Sequence, residues 1–361
     1  MLLNKDIAEL RIRSVETNDM SNWMITHTID TLTTVNNKFD VLKKVNDLIN
    51  KGIDKKNIFI TDRSFLISTN YKTYFEKGNV LGNTANTIVK VANIGRIITM
   101  EYNEEIININ CLLAYYKKIT SILNRNLNCR LRGQYLEKSY NELFVSNLET
   151  ALRILAVGAK QQVVDIYARY LNPDNNKMDK LIQEIYFEMD KSLGKGYANF
   201  QSLANNSVKK FAQNFKRFDR PILGIYHNTG HVFEIINADQ MYKNGEESKN
   251  RIQLKSLSKN SPVLIALLVT GTMLGFLVYL AYRDHRVKNS DIEDNMLDIP
   301  QNTREVIENV LTNAAGEITY VEDGEKNELD PQVSFLAENN FNKLEIVINK
   351  KKVNLEIRDN I

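Results

Sequence analysis

Residues 262–282, PVLIALLVTGTMLGFLVYLAY, form a run of 21 residues without a charged side chain. As an α-helix this run would be about 31 Å long, which matches the roughly 30 Å hydrocarbon core of a bilayer. Tyr279 and Tyr282 lie near its end, where interfacial aromatic residues are common. The pattern predicts a single transmembrane helix, with a fully buried helix of a large domain as the alternative.

The regions on either side of this segment are expected to lie on opposite sides of the membrane. The N-terminal residues MLLNKDIAELRIR lack a signal-peptide pattern, because Lys5 and Asp6 interrupt any apolar stretch. We therefore expect the region before residue 262 to stay in the cytoplasm and the region after residue 282 to lie across the membrane. Basic residues border the segment at both ends, so the positive-inside rule adds little to this orientation.

Charge is distributed unevenly between the two regions. Residues 1–261 contain 37 Lys and Arg against 27 Asp and Glu, a net charge of +10. Residues 283–361 contain 10 against 17, a net charge of −7. A basic region suits the anionic cytoplasmic leaflet of a bilayer, an acidic protein or a nucleic acid, although no nucleic-acid-binding motif accompanies it.

Composition and length limit the fold class. The chain of 361 residues is 43% hydrophobic and 25% charged, which excludes a wholly disordered chain and allows more than one domain. Its two cysteines exclude a disulfide scaffold and a cysteine-rich zinc module. We predict a mainly α protein with a helical N-terminal head, one transmembrane helix and a small α+β C-terminal domain. The predicted parts are a basic head at 1–242, a linker at 243–261, the membrane helix at 262–282, an acidic linker at 283–300 and a tail domain at 301–361.

Apolar periodicity predicts the helices of the head. Over residues 22–50, apolar side chains recur every three or four positions, and Gly52 follows as a stop signal. Such a stripe is typical of the core-facing side of a bundle helix, with a partner-binding coiled coil as the alternative. Similar patterns predict further helices at about 104–125, 140–171 and 176–193.

The segment ILGIYHNTGHVFEII contains the only closely spaced histidines, His227 and His231. The sequence NTG between two β-prone runs predicts a hairpin turn that the histidines flank, with Glu234 on the second strand. Two imidazoles and a carboxylate are able to bind a divalent metal that activates water. Because the zinc-protease pattern HExxH is absent, we expect two partly exposed turn histidines. A metal site at His227, His231 and Glu234 is the alternative.

Residues 200–220 combine aromatic and basic side chains at helical spacing. Phe211, Phe215 and Phe218 fall on one predicted helical face. Basic residues surround them: Lys209, Lys210, Lys216, Arg217 and Arg220. We expect a bundle helix whose aromatic face is buried and whose basic side is solvated. The alternative is a helix that lies in a membrane interface or contacts phosphates.

Gly271 and Gly275 form a GxxxG pattern inside the apolar segment. This spacing lets two membrane helices approach closely, so it makes a homo-oligomer one candidate assembly. The sequence contains no P-loop, no dinucleotide-binding fingerprint and no GxSxG nucleophile motif. We therefore expect no cofactor and assign no catalytic residue.

The C-terminal region has a helix-and-strand pattern of its own. A capping box predicts a helix that ends at Gly316, followed by a strand at 317–322 and the turn sequence DG. The alternating runs at 344–348 and 353–358 predict a β-hairpin. These elements are enough for a small α+β domain.

These features predict a structural function. The leading hypothesis is a single-pass membrane protein that organises an assembly through its basic head, with the bilayer and other proteins of the assembly as partners. Abundant Asn, Lys and Ile indicate AT-rich codon usage, which fits an alternative: a virion component of a large phage or virus that inserts into or crosses a membrane. A metal-dependent enzyme with a site at His227 and His231 is the other alternative.

Overall fold

The fold is mainly helical, as predicted, with antiparallel sheets. The computed structural model describes residues 7–14, 22–64, 80–82, 84–170, 175–236, 253–258, 264–270, 319–322, 325–328, 330–337, 339–340 and 353–359. The chain divides into two compact units. We call Met1–Gly52 with Lys243–Ile361 the terminal unit and Ile53–Tyr242 the central unit.

The elements are numbered in chain order. The helices are α1 (Asn22–Asn50), α2 (Ala85–Asn93), α3 (Glu104–Leu127), α4 (Gly133–Val145), α5 (Leu148–Tyr170), α6 (Asn175–Lys191), α7 (Tyr197–Asn205) and α8 (Ser207–Arg217). The strands are β1 (Ile7–Ser14), β2 (Ile58–Ser64), β3 (Val80–Leu81), β4 (Ile97–Thr99), β5 (Pro221–His227), β6 (Val232–Ile235), β7 (Gln253–Ser258), β8 (Leu264–Thr270), β9 (Thr319–Glu322), β10 (Glu325–Glu328) and β11 (Val353–Asp359).

Helix α1 confirms the long helix predicted from apolar periodicity. Most of the predicted stripe is buried: Ile25, Leu32, Val35, Phe39, Leu42 and Val45. After the helix, Gly52 adopts a φ of 81°, and its amide donates to the Ile49 carbonyl at 2.9 Å. Glycine adopts this left-handed conformation without a steric penalty, so the predicted stop signal is confirmed as well.

A short C-terminal helix is hydrogen-bonded to α1 within the terminal unit. Residues 331–337 are helical. The Asp330 amide donates to Asn46 Oδ1 at 2.9 Å, and Asn340 Nδ2 donates to the Val35 carbonyl at 3.3 Å. Because Asn46 and Asn340 are buried, these bonds give Asn46 Oδ1 and Asn340 Nδ2 the partners that buried polar atoms require.

The sheet of the terminal unit has the strand order β11-β1-β8-β7, and all its pairs are antiparallel. In the register of β1 with β11, Glu9 is paired with Arg358 and Arg11 with Glu356. The sheet therefore joins strands from the two ends of the sequence.

Residues 264–270 form strand β8, so the predicted membrane helix is wrong for these residues. An apolar run is ambiguous in sequence, because a strand that is covered on both faces is also apolar throughout. Strands β1 and β7 pair with the two edges of β8. The rest of the predicted helix, with Gly271 and Gly275, lies outside the described residues. Of the helices that the structure describes, none is long and apolar enough to cross a membrane.

The tail prediction is confirmed for part of its length. Strands β9 and β10 form an antiparallel pair, and the predicted turn sequence lies between them, outside the described residues. Strand β11 matches the run predicted at 353–358, but its partner is β1. The run at 344–348 and the helix predicted before Gly316 lie outside the described residues.

The central unit contains a five-stranded antiparallel sheet in the order β3-β6-β5-β2-β4. Helix α3 contacts α2, α4, α5, α6 and α7, and half of its 24 residues are buried. Asn110 joins α3 to the sheet: its Oδ1 accepts the Ile97 amide at 2.9 Å and its Nδ2 donates to the Ile97 carbonyl at 2.8 Å. This paired bond fixes α3 beside the edge strand β4.

Two helices predicted as continuous are interrupted. The helix predicted at 140–171 is divided between α4 and α5, and the Asn147 side chain accepts the Thr150 amide at 2.9 Å. A cap of this kind starts a new helix. The helix predicted at 200–220 is likewise divided between α7 and α8, with Asn206 at the junction.

Candidate functional site

The predicted histidine hairpin is confirmed: β5 and β6 pair, with residues 228–231 between them. His227 is paired with Val232 in the register. Gly230 and His231 both have a positive φ, 82° and 51°. Glycine takes this conformation readily, whereas a histidine needs surrounding contacts that hold it there.

Two residues of α4 hold His231 in place. Its ring stacks on Phe144, with ring centroids 3.5 Å apart and an interplanar angle of 6°. Tyr140 Oη donates to the His231 carbonyl oxygen at 2.6 Å. The turn is therefore fastened to the helical layer through both the side chain and the backbone of His231.

The imidazole of His231 also lies beside a tyrosine and a carboxylate. Tyr226 Oη is 2.7 Å from Glu105 Oε2 and 3.0 Å from His231 Nδ1. His231 Nδ1 is 3.6 Å from the same carboxylate oxygen. Burial, followed by the hydrogen bond to Glu105, raises the pKa of Tyr226, so this phenol stays protonated and donates to the carboxylate. Burial likewise raises the pKa of Tyr140.

A carboxylate, a phenol and an imidazole in contact form a chain through which a proton is able to move. The members of this chain also bond to one another and to the backbone, which is the arrangement of a structural clamp. Glu105 and His231 are 44% and 32% exposed at their side chains, so solvent reaches one side of the cluster.

His227 belongs to a different contact. Its Nε2 lies 2.9 Å from Glu234 Oε2. The structure thus brings His227 together with Glu234, whereas it brings His231 to Glu105 and Tyr226. Within the part of the chain that the structure describes, no group of three or more His, Cys, Asp or Glu side chains is arranged to hold a metal ion.

Sequence analysis missed Glu105, Tyr140 and Phe144 as partners of this hairpin. Glu105 is 121 positions from Tyr226, and Tyr140 is 91 positions from His231. No local spacing connects residues so far apart. The one local signal for Glu105 is its place in the first turn of α3, where a carboxylate suits the helix dipole.

Replacing Tyr226 with phenylalanine removes the donor to Glu105 and the contact with His231. We expect the central unit to lose about 1 kcal/mol of stability, because water reaches the half-exposed carboxylate and replaces part of the bond. Urea denaturation followed by circular dichroism measures the change. Tyr135→Phe is the matched control, since its hydroxyl makes no hydrogen bond among the residues that the structure describes. An equal loss in both variants would contradict the prediction.

The basic face of α8 is a second candidate site. Phe211 and Phe215 are buried, and α8 contacts β2 and β4. The rings that an interfacial helix would insert into a bilayer are therefore part of the core, as expected for a bundle helix. Phe218 follows the end of α8, where the Arg217 guanidinium lies 5.2 Å from its ring centroid.

The cationic side chains of α8 lie on its outer side. Lys209, Lys216 and Arg217 are exposed, and Lys210 and Arg220 are partly buried. The sequence of α8 contains four basic residues and no acidic residue. Positive charge on this face is therefore not balanced from within the helix.

Comparisons with known proteins give no relative from which a function could be transferred. No family model, no curated protein sequence and no solved structure matches the chain. We infer function from the geometry of the chain itself.

Proposed function

We propose that the protein is a non-catalytic organiser of a larger assembly, and that its central unit attaches to an acidic protein of that assembly through the basic face of α8. The orientation of α8 carries this proposal. Both phenylalanines of the helix are buried, whereas Lys209, Lys216 and Arg217 are exposed. Complementary charge accelerates association and selects the partner, so an exposed basic face suits this function.

Charge reversal of this face tests the proposal. The test variant combines Lys209→Glu, Lys216→Glu and Arg217→Glu in the full chain. The matched control combines Lys138→Glu, Lys160→Glu and Lys180→Glu, which make the same change of charge at exposed positions on other helices. Sedimentation of the assembly from expressing cells, over a series of salt concentrations, measures attachment.

We expect the test variant to leave the assembly at lower salt than the wild type, while the control stays attached. Screening by salt acts on all exposed charges, so the difference between the two variants is the informative quantity. Equal release of both variants would contradict attachment through α8. Release of the wild type by nuclease would assign the partner to nucleic acid instead of protein.

Attachment to a membrane through residues 262–282 is a second candidate function, supported by the 21 uncharged residues of this segment. Gly271 and Gly275 would then form the helix-packing face of a homo-oligomer. Strand β8 opposes this candidate, because residues 264–270 cannot belong to a sheet and to a transmembrane helix at once.

Carbonate extraction with protease protection tests the membrane candidate. Retention in the membrane pellet, with only the C-terminal region protected, would support a single pass with the head in the cytoplasm. Release by carbonate would contradict it.

The two alternatives from the sequence have direct tests of their own. If the protein is a virion component, it should be present in purified particles and stay with them through further purification steps. In a metal-dependent enzyme, His231 would have to leave Glu105 and bind the same metal ion as His227. Less than one equivalent of bound metal in the full chain would remove that alternative.

A further inference from the structure

A separate cationic cluster lies at one end of the sheet in the central unit. Thr61 of β2 is paired with Ile97 of β4. Asp62 and Arg63 follow Thr61 on β2, and Arg96 immediately precedes β4, where its carbonyl oxygen accepts the Asp62 amide at 2.9 Å. Arg63 and Arg96 are both exposed. The two arginines therefore leave the backbone at the same end of the sheet.

The carboxylate of this cluster, Asp62, already accepts two hydrogen bonds from Arg96. Asp62 Oδ1 accepts the Arg96 amide at 2.7 Å, and Asp62 Oδ2 accepts Arg96 Nε at 2.6 Å. Gly95 permits this approach, because a Cβ at that position would lie 2.5 Å from Asp62 Oδ1. One carboxylate oxygen thus holds the backbone of Arg96 and the other holds its guanidinium group, and the side chain of Arg96 stays 58% exposed.

Lys117 of α3 adds a third positive charge. It lies seven positions after Asn110, two turns along the same side of the helix that is fixed beside β4. Burial, followed by the positive charge of Arg63, lowers the pKa of Lys117, while Asp62 acts in the opposite direction. One carboxylate among three cations leaves positive charge in excess, and Lys117 carries its share at a partly buried position.

We propose that Arg63, Arg96 and Lys117 bind a phosphate group. Guanidinium groups present forked N–H donors that match phosphate oxygens, and an ammonium adds a compact charge. Arg63 Nη1 donates to the Asn93 carbonyl at 3.3 Å, which holds the side chain and leaves its other donors for the ligand. A phosphate dianion would balance the charge that Asp62 leaves uncompensated. This site is distinct from the basic face of α8 and does not depend on the proposed attachment.

Calorimetric titration of the full chain with inorganic pyrophosphate at low salt tests the proposal. We expect binding that weakens as salt rises, and about a tenfold loss of affinity in Lys117→Gln. Lys160→Gln is the matched control, because Lys160 is an exposed lysine on α5, and it should bind as the wild type does. The charge-reversed α8 variant should also retain binding, which separates this site from the attachment surface.

Vesicles distinguish a lipid headgroup from a free phosphate compound as the source of the phosphate. Binding to phosphatidylcholine vesicles that contain phosphatidic acid, lost in Lys117→Gln, supports a headgroup. Binding to pyrophosphate alone supports a free compound. If Lys117→Gln fails to fold by circular dichroism, the exposed Arg63→Gln variant replaces it. No binding of either probe by the wild type, or equal binding by wild type and variant, overturns the proposal.

Discussion

Replacing Asp40 with asparagine is expected to stabilise the terminal unit by up to about 4 kcal/mol near pH 8 and to change it little near pH 4. Asp40 lies on α1 and is only 6% exposed. Burial raises the pKa of its carboxyl to about 7, although Lys44 and Lys43 favour the charged form. Asparagine keeps a similar shape and carries no charge at any pH.

The sign of this effect follows from the two pKa values. In the unfolded chain the carboxyl ionises near its ordinary pKa of 3.8, whereas in the folded protein it holds its proton until about pH 7. The folded state therefore binds more protons between these values, and its stability falls as the pH rises through that window. The contribution is complete below the unfolded pKa and is lost above the folded pKa.

Hydrogen exchange of the amides of α1, measured from pH 4 to pH 8 and corrected for the intrinsic rate, reports this stability. A local measurement is needed because a chain with two units does not have to unfold in one step. Asp30→Asn is the matched control: it removes an exposed carboxylate from the same helix. If wild type and Asp40→Asn show the same pH dependence, the buried carboxyl is not the cause.

The parts of the fold that local sequence determines were predictable. The stripe of α1 repeats every three or four residues and ends at a left-handed glycine, so both its length and its end follow from neighbours in sequence. The histidine hairpin was predictable for the same reason, since the NTG turn lies directly between its strands.

The membrane helix was predicted at a position where local sequence is not decisive. An apolar run such as residues 264–270 is compatible both with a helix in a bilayer and with a strand covered on both faces. The choice depends on β1, which lies more than 240 positions earlier in the chain and pairs with β8 in a defined register. No periodicity within residues 262–282 contains that information.

Sequence predicted only those contacts of the candidate sites that join residues close together in the chain. The sequence identified His227 and Glu234, which meet across a short turn. It did not identify Glu105 as a partner of His231, because α3 brings that carboxylate from a distant part of the chain. The cluster of Arg63, Arg96 and Lys117 was missed for the same reason: its members come from β2, from the residue before β4 and from α3.

Replacing Gly224 with alanine is expected to destabilise the central unit by about 3 kcal/mol or more. Gly224 lies in β5 between Phe59 of β2 and Ile235 of β6 in the register. A Cβ at this position would lie 2.5 Å from Phe59 Cζ and 2.6 Å from the Glu234 carbonyl oxygen. The carbonyl belongs to the paired backbone of β6 and cannot move without disturbing the sheet. Urea denaturation followed by circular dichroism measures the loss.

A double-mutant cycle identifies the obstacle. Phe59 is fully buried and packs edge to face on Phe233, with ring centroids 5.6 Å apart, so it has no open space to enter. Phe59→Leu removes the ring atoms nearest the new Cβ but leaves the contact with the Glu234 carbonyl. The double variant should therefore be less destabilised than the sum of the two single variants, yet less stable than Phe59→Leu alone.

The control for this cycle is Gly194→Ala, because nothing lies within 4 Å of a Cβ at that position. Alanine there should leave stability unchanged or increase it by up to about 1 kcal/mol, since it restricts the unfolded chain. If Gly224→Ala changes stability no more than Gly194→Ala does, the sheet has space for a Cβ at position 224, which contradicts the prediction. Additive losses in the cycle would instead assign the whole effect to the backbone of β6, and not to Phe59.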